Sequence, residues 1–420
     1  MTINKDAVCQ GCYIMLARSS IRSKATALIK ALQTSKGTRR KIILKDINEL
    51  IKDCPQSVTL FRERIDQFVS LSKDGDDTLT AKVRQTLSLI GYAQPPDAPG
   101  IRILSIDGGG TRGLISLEVL RHIEKATNRR IHELFDLICG VSSGAIITMA
   151  LGSGRFTIDQ LETYYREMSE NIFKTDFWSS TPRLILSHAY YDAVLFEKTL
   201  RQAFGNTTLL DLAAEPKLPK LVAVSVNAHS VQPYLFRTYA LNPAIGSQFE
   251  GTCRAQLWQA IRASSAAPGY FQEFKFGSSI LLDGGMLVNN CTGVSHAEAR
   301  ALWPYEPVQC VVSIGSGKFK SADVLQATAT SLYQKAHGLV YSATDTETIH
   351  MILMNLIKGY YRFNPQLSEN ILISESRKLK LDQLKKEAKQ YMVNNDMVLE
   401  EVAARLTRPR QFYRKILDQL

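Results

Sequence analysis

Ser142 lies in Gly140-Val141-Ser142-Ser143-Gly144, a GxSxG pentapeptide. That spacing suits a nucleophile on a tight strand-to-helix turn, where flanking glycines relieve crowding and the hydroxyl projects from the end of a sheet. A serine hydroxyl is a weak nucleophile until something accepts its proton, so the chain must supply a base. The seven histidines occupy no recognisable histidine-loop signature, and His122 and His132 lie too near in sequence for the order serine, acid, histidine. Asp283, followed by Gly284 and Gly285 after an apolar run, is the better candidate, because an aspartate at a strand end beside the serine could act on it directly. Each piece also has a plain structural reading, as a packing turn at Ser142 and an Asp-Gly-Gly turn at Asp283.

A glycine cluster, Gly108-Gly109-Gly110-Thr111-Arg112-Gly113, precedes the serine. It follows an apolar run and opens an apolar-faced helix, so it satisfies the GxGxxG pattern of a dinucleotide fold. The ribose-binding acid expected at the end of the second strand is missing, because that run ends in Cys139 and passes directly into Gly140. Asp107 also places a carboxylate where a pyrophosphate would lie, and no Gly-Lys-Ser/Thr follows for a P-loop. The same geometry serves another end: backbone N–H groups at a helix N-terminus can receive the negative oxygen that develops when an ester carbonyl becomes tetrahedral.

These residues need strands before them and helices after. Short apolar runs at 101–106, 134–139, 221–226, 280–282 and 311–314 read as strands, and 145–151 continues as an apolar helix. Strands alternating with helices predict an α/β class with a mostly parallel sheet. Residues 1–97 read as helical, with Ala25, Leu28, Ile29 and Leu32 at helical spacing and further helices at 45–51 and 58–71. The stretch from Lys73 to Asp77 reads as a polar loop, lacking the alternating ligands of a calcium site. Pro95-Pro96-Asp97-Ala98-Pro99-Gly100 marks a boundary, giving a catalytic domain over 98–320 and a helical extension over 321–420 packed on it, with helices at 322–339, 346–357 and 377–392.

The formal charge of +11 is uneven: residues 1–100 carry 16 Lys/Arg against 10 Asp/Glu, 371–420 carry 11 against 7, and the middle is nearly balanced. Basic flanks suit an anionic membrane surface, and equally suit solvated helix faces. The acid-free stretch between Asp6 and Asp46 resembles an organelle transit peptide in composition, although an amphipathic helix accounts for it better. The odd set of seven cysteines fits no secreted disulfide framework, and the Cys9-Gln10-Gly11-Cys12 pair has no partner set for zinc. No run approaches the roughly 18 apolar residues a membrane span requires. Phe173, Phe177, Trp178, Leu184, Ile185, Leu186, Tyr190, Tyr191 and Phe196 form an aromatic segment interrupted by Pro182, which reads as a lid or as ordinary core.

In this order, Asp-Gly-Gly-Gly-Thr-Arg-Gly, Gly-Val-Ser-Ser-Gly and Asp-Gly-Gly resemble the patatin-like phospholipases. Trp258-Gln259-Ala260-Ile261-Arg262-Ala263-Ser264-Ser265-Ala266-Ala267-Pro268, Leu302-Trp303-Pro304 and Tyr360-Tyr361-Arg362-Phe363-Asn364-Pro365 extend the resemblance over roughly residues 85 to 385. It implies a three-layer sandwich around a mostly parallel sheet, with a serine and aspartate dyad and no histidine. Carried over by position, it implies Ser142 as nucleophile, Asp283 as base, the amides of Gly109 and Gly110 as oxyanion hole, and Arg112 as a phosphate contact. Gly108, Gly113, Gly140, Gly144, Gly284 and Gly285 complete the motifs. The implied activity is phospholipase A and lysophospholipase hydrolysis without metal or cofactor. The implied setting is an intracellular, peripheral one at a phospholipid surface, with mitochondrial or endoplasmic reticulum membranes and a homodimer left open and no nucleic acid as partner. An acyltransferase using the same serine, or a silent lipid-binding regulator, fits the same residues. One departure stands out: the family usually continues Asn-Asn-Pro after the second glycine pair, whereas here Asn289-Asn290 is followed by Cys291.

Overall fold

The computed structural model describes residues 5–73, 75–173, 191–241, 248–319 and 346–410, with side chains from Ser19 onward. Its chain divides into two compact units, one formed by Met1–Ala93 with Ala213–Pro216 and Tyr239–Ser247, the other by the remainder.

The first unit is helical. Helices Lys5–Thr34, Thr38–Asp53, Val58–Arg62, Ile65–Leu71 and Asp77–Leu89 enclose Leu44, Ile47, Phe61, Phe68 and Val83. The helix expected at 45–51 begins seven residues earlier, since Ile43 and Leu44 already keep the apolar period. The helix expected at 58–71 is interrupted, because the amide of Arg64 turns from the i−4 to the i−3 carbonyl, that of Phe61. At the end of the polar loop Asp76 caps the last of these helices, accepting from the amides of Thr78 at 3.0 Å and Leu79 at 3.1 Å. Hydrogen bonding to Lys41 and to these groups holds its carboxyl well below the usual range.

The second unit is built on a nine-stranded sheet: β1 (Ile101–Ile106), β2 (Leu137–Val141), β3 (Lys220–Asn227), β4 (Gln232–Arg237), β5 (Glu250–Thr252), β6 (Phe274–Phe276), β7 (Ser279–Asp283), β8 (Val308–Ile314) and β9 (Tyr360–Phe363). The main order is β5-β4-β3-β2-β1-β8-β9, and the five strands from β3 to β9 run parallel. Such strands are buried on both faces and read as continuous apolar runs, as Ile101–Ile106 does. Along β1 the side chains alternate: Leu104 and Ile106 join the main core with the helix Gly113–Thr127, while Ser105 meets Cys291 at the start of the helix Thr292–Leu302. Helices therefore cover both faces, which makes three layers. The C-terminal helices Lys378–Asn394 and Asp396–Thr407 pack on Gly113–Thr127 through Leu381, Leu384 and Val402.

The strand expected at 134–139 enters the sheet only at Leu137. A short helix, Ile131–Leu134, comes first, and the Asp136 carboxylate is engaged in accepting the Arg102 amide at 2.8 Å and pairing its guanidinium at 2.8 Å. The antiparallel strands β4 and β6 and the short parallel β5 and β9 were not among the expected runs; Pro233 obscures β4, and the others span three or four residues. The helix expected at 322–339 lies outside the described residues.

Candidate active site

The site sits at the carboxyl ends of parallel strands, where open α/β sheets leave a crevice. Sheet register brings its two halves together. β2 pairs with β3 up to Val141 opposite Val224, and on the same edge β7 runs the other way, with Asp283 opposite Ser225. A rising strand and a descending strand thus meet end to end at adjacent positions of β3. Ser142, the residue after β2, arrives beside Asp283, the last residue of β7.

Ser142 occupies a sharp turn with φ 53° and ψ −119°, a conformation side chains rarely adopt. What holds it there is visible. Its amide donates to Ser264 Oγ at 2.8 Å, and that hydroxyl donates to the Val224 carbonyl at 2.5 Å. The flanking glycines permit the turn by close approach: a Cβ on Gly140 would lie 2.2 Å from the Gly144 carbonyl oxygen, and one on Gly144 2.3 Å from that of Ile106.

Asp283 is buried, hydrogen-bonded with the Ser142 side chain, and accepts the Gly285 amide at 2.7 Å. Burial pushes its carboxyl up to about 6, against the opposing pull of those two hydrogen bonds. The aspartate's own amide donates to the Ala266 carbonyl at 2.9 Å, and Gly284's to that of Ser264 at 3.3 Å. The segment from Trp258 to Pro268 therefore clamps both members of the pair. None of the histidines lines the cavity among the described residues.

The glycine loop is fixed from three sides. Asn289 Oδ1 accepts the Gly108 amide at 3.0 Å, Ser316 Oγ donates to the Gly108 carbonyl at 2.9 Å, and Tyr165 Oη donates to the Gly110 carbonyl at 2.6 Å. The amides of Thr111 and Arg112 are used by Ile373 and Gly109. Among the described residues, the Gly109 and Gly110 amides meet no such loop or side-chain acceptor, and both residues border the cavity. Beneath the loop, Asp107 is ion-paired with Arg362 at 2.7 Å, both fully buried, and Arg362 also donates to Ser313 Oγ at 2.8 Å. Burial alone would lower the Arg362 pKa; the charge and hydrogen bond of Asp107 outweigh it and raise the value. Gly113 begins the following helix against the Tyr165 hydroxyl.

Ser142, Asp283 and the loop open into one cavity of about 970 Å³, walled by Ile146, Met168, Ile172, Phe196, Phe271 and Ile371 among others. Of the expected aromatic segment, Phe173 and Tyr191 stack edge to face at 4.8 Å and Phe196 stacks on Phe271 at 4.9 Å; residues 174–190, on which the lid expectation rests, lie outside the described residues. Arg112 is buried and lines the cavity. An apolar chamber with a few convergent polar groups suits a ligand with a long hydrocarbon tail.

The family model for patatin-like phospholipases matches residues 104–294, which contain the glycine loop, the GxSxG turn and the Asp-Gly-Gly turn. Those residues belong to the patatin-like phospholipase family. The chain is 39% identical over 414 residues to calcium-independent phospholipase A2-gamma of Rattus norvegicus, covering 96% of this chain and 53% of that protein. It is 31% identical over 375 residues to phospholipase A I of Arabidopsis thaliana, covering 74% of this chain and 28% of the relative. A cGAMP-activated phospholipase of Escherichia coli (strain TW11681) is 31% identical over 204 residues, 46% of this chain and 54% of its own. The chain spans about half the length of the A2-gamma relatives it matches.

The patatin-like domain absorbs its departure from the usual motif without losing the loop. Cys291, where proline is usual, is buried at the N-cap position of the helix Thr292–Leu302 as a free thiol, 3.3 Å from Ser105 Oγ and hydrogen-bonded with the free thiol of Cys139. Asn289 and Asn290 keep separate tasks: the first holds Gly108, and the second accepts from Thr292 Oγ1 at 2.7 Å. Sequence reasoning missed Ser264, Asn289, Tyr165 and Ser316 as positioning residues; only Ser264 and Asn289 lay in stretches it had singled out.

Proposed function

We propose that the protein is a phospholipase A and lysophospholipase that works through an acyl-enzyme on Ser142 without calcium. The observation that carries this is the Ser142 hydroxyl hydrogen-bonded to a buried Asp283, both lining an apolar cavity. Asp283 takes the serine proton as Oγ attacks the ester carbonyl carbon, and the Gly109 and Gly110 amides receive the oxyanion. The protonated Asp283 then gives its proton to the departing lysophospholipid alkoxide. Water enters and Asp283 takes one of its protons as the oxygen attacks the acyl carbon; the bond to Ser142 Oγ then breaks, Asp283 returns the proton to that oxygen, and the fatty acid leaves. A base with pKa about 6 is ionised at neutral pH and still matched to proton transfer there. Arg112 in the cavity wall offers a guanidinium to the substrate phosphate.

The membrane surface is the proposed partner, with the basic flanks favouring anionic lipid. No helix among the described residues is long and apolar enough to cross a bilayer. Peripheral association within the cell is the proposed setting. The deciding experiment is hydrolysis of a glycerophospholipid panel by purified protein, with Ser142→Ala as control and fluorophosphonate labelling as a readout of the live serine. Wild-type protein should release fatty acid at an unchanged rate in a calcium chelator, and Ser142→Ala should neither label nor hydrolyse. Labelling without release of fatty acid would overturn the reading.

Tyr165 should act as a positioning residue. Tyr165→Phe keeps the ring and loses the bond to the Gly110 carbonyl, a contact with a net value of about 1 kcal/mol. If that contact serves to align the oxyanion donors, kcat falls by about fivefold with KM little changed. A shift confined to thermal stability would show a structural role alone.

A further inference from the structure

The helix Thr346–Leu356 has no buried residue. Ile349, Met351, Ile352, Met354 and Leu356 are between 39% and 73% exposed, and no Asp, Glu, Lys or Arg occurs from 348 to 357. At 100° per residue these five positions cannot share one stripe; they distribute around the helix. A groove on another protein would take a single stripe of anchors, whereas hydrocarbon accepts apolar side chains on every side. With 11 residues the helix is roughly 16 Å long, too short to span a bilayer and about the depth of the hydrocarbon of one leaflet.

Its place in the unit is equally specific. Thr346 and Glu347, at its first turn, line the catalytic cavity together with the half-exposed Leu372. Glu347 is tied to Lys318 Nζ at 2.9 Å, Asn364 Nδ2 at 2.7 Å and Arg362 Nε at 3.4 Å. Asn364 Oδ1 in turn accepts the Gly317 amide at 2.9 Å, next to the Ser316 that holds Gly108. The polar end of the helix is thereby anchored in the wall of the cavity, while among the described residues its apolar body is exposed.

We infer that Thr346–Leu356 is the lipid-inserting element, a short helix that dips into the acyl-chain layer of a phospholipid membrane and seats the catalytic cavity against it. This rests on the lipid hydrolase reading of the same cavity. Substrate would pass from the bilayer along apolar surface into the chamber, with Glu347 fixing the helix to the strand end that carries Arg362.

The test uses the full chain with phosphatidylcholine vesicles, with and without phosphatidylserine. Ile352→Trp adds a reporter indole to the three native tryptophans, whose signal is measured in parallel. Its emission should shift to the blue on vesicle binding and be quenched by acyl-brominated phosphatidylcholine. A variant with Met351, Ile352, Met354 and Leu356 all changed to Gln should partition at least about 100-fold more weakly, since four apolar side chains no longer favour leaving water for hydrocarbon. It should still hydrolyse a water-soluble short-chain ester, which shows that the site is assembled. A bound but unquenched indole, unchanged partitioning, or loss of the soluble-ester activity would overturn the inference. So would sedimentation showing a dimer that the Gln variant abolishes, because a second copy would then cover the helix. A wild type that binds vesicles through the quenched helix yet hydrolyses neither ester nor lipid would instead sink the functional reading alone.

Discussion

Asp283→Asn will lower kcat/KM by about 10⁴-fold, measured on a phospholipid and on a soluble ester alike. Asparagine keeps an oxygen for the Gly285 amide, so the turn survives, but it cannot take the Ser142 proton. Losses of this order are typical when a serine hydrolase loses a member of its catalytic group, and such losses do not add. Ser142→Ala combined with Asp283→Asn should therefore be no worse than the more damaging single change. In the wild type, kcat/KM should rise with pH through about 6, because the base must be ionised and burial has moved its titration there. The limb should be absent from the residual activity of Asp283→Asn.

The same substitution should stabilise the protein at neutral pH. The Asp283 carboxyl is raised from the ordinary 3.8 to about 6, so the folded state holds its proton more tightly than the unfolded chain. Its contribution to stability is complete below about pH 4 and is lost as pH rises through 6. Above that, the ionised carboxylate costs on the order of 3 kcal/mol in this buried position, an amount that Asn avoids. Melting temperatures of the two proteins should coincide toward pH 4, separate between pH 4 and 6 with Asp283→Asn higher, and stay apart by a constant margin above pH 6.

How much of this site could be read before the fold was known follows from the range of each contact. Ser142 and the glycines announce themselves because a turn needs its residues next to one another. Asp283 was nominated by an equally local cue, a carboxylate ahead of two glycines, yet its pairing with Ser142 depends on β2 and β7 meeting on one edge of β3, which no local pattern states. The supports are harder still. Asn289 reaches Gly108 across 181 positions and Ser316 reaches it across 208, and both are ordinary polar residues whose value lies in what they touch. The apolar runs of β1 and β8 were legible because parallel strands are buried on both faces; β9 was not, since Arg362 interrupts a four-residue strand.

That arginine carries the second large effect. Arg362→Met should destabilise the second unit by about 3–5 kcal/mol, because removing one partner leaves the fully buried Asp107 without a countercharge. Burial already pushes the Asp107 carboxyl up against the pull of Arg362, so in the variant it will take a proton more readily. A further raised folded-state pKa adds stability at low pH that fades as pH rises. The deficit of Arg362→Met should accordingly be largest near pH 8 and shrink toward pH 5, followed by thermal loss of fluorophosphonate labelling. Pairing it with Asp107→Leu removes the stranded charge and should recover part of the stability, whereas a merely steric role for Arg362 would leave the double variant as weak as the single. Activity should not recover in step, because Asp107 directly precedes Gly108 and its ion pair is what holds the loop's first peptide over the ends of β1 and β8. Recovery of stability without recovery of kcat would separate the cost of burying charge from its use in aligning the oxyanion donors.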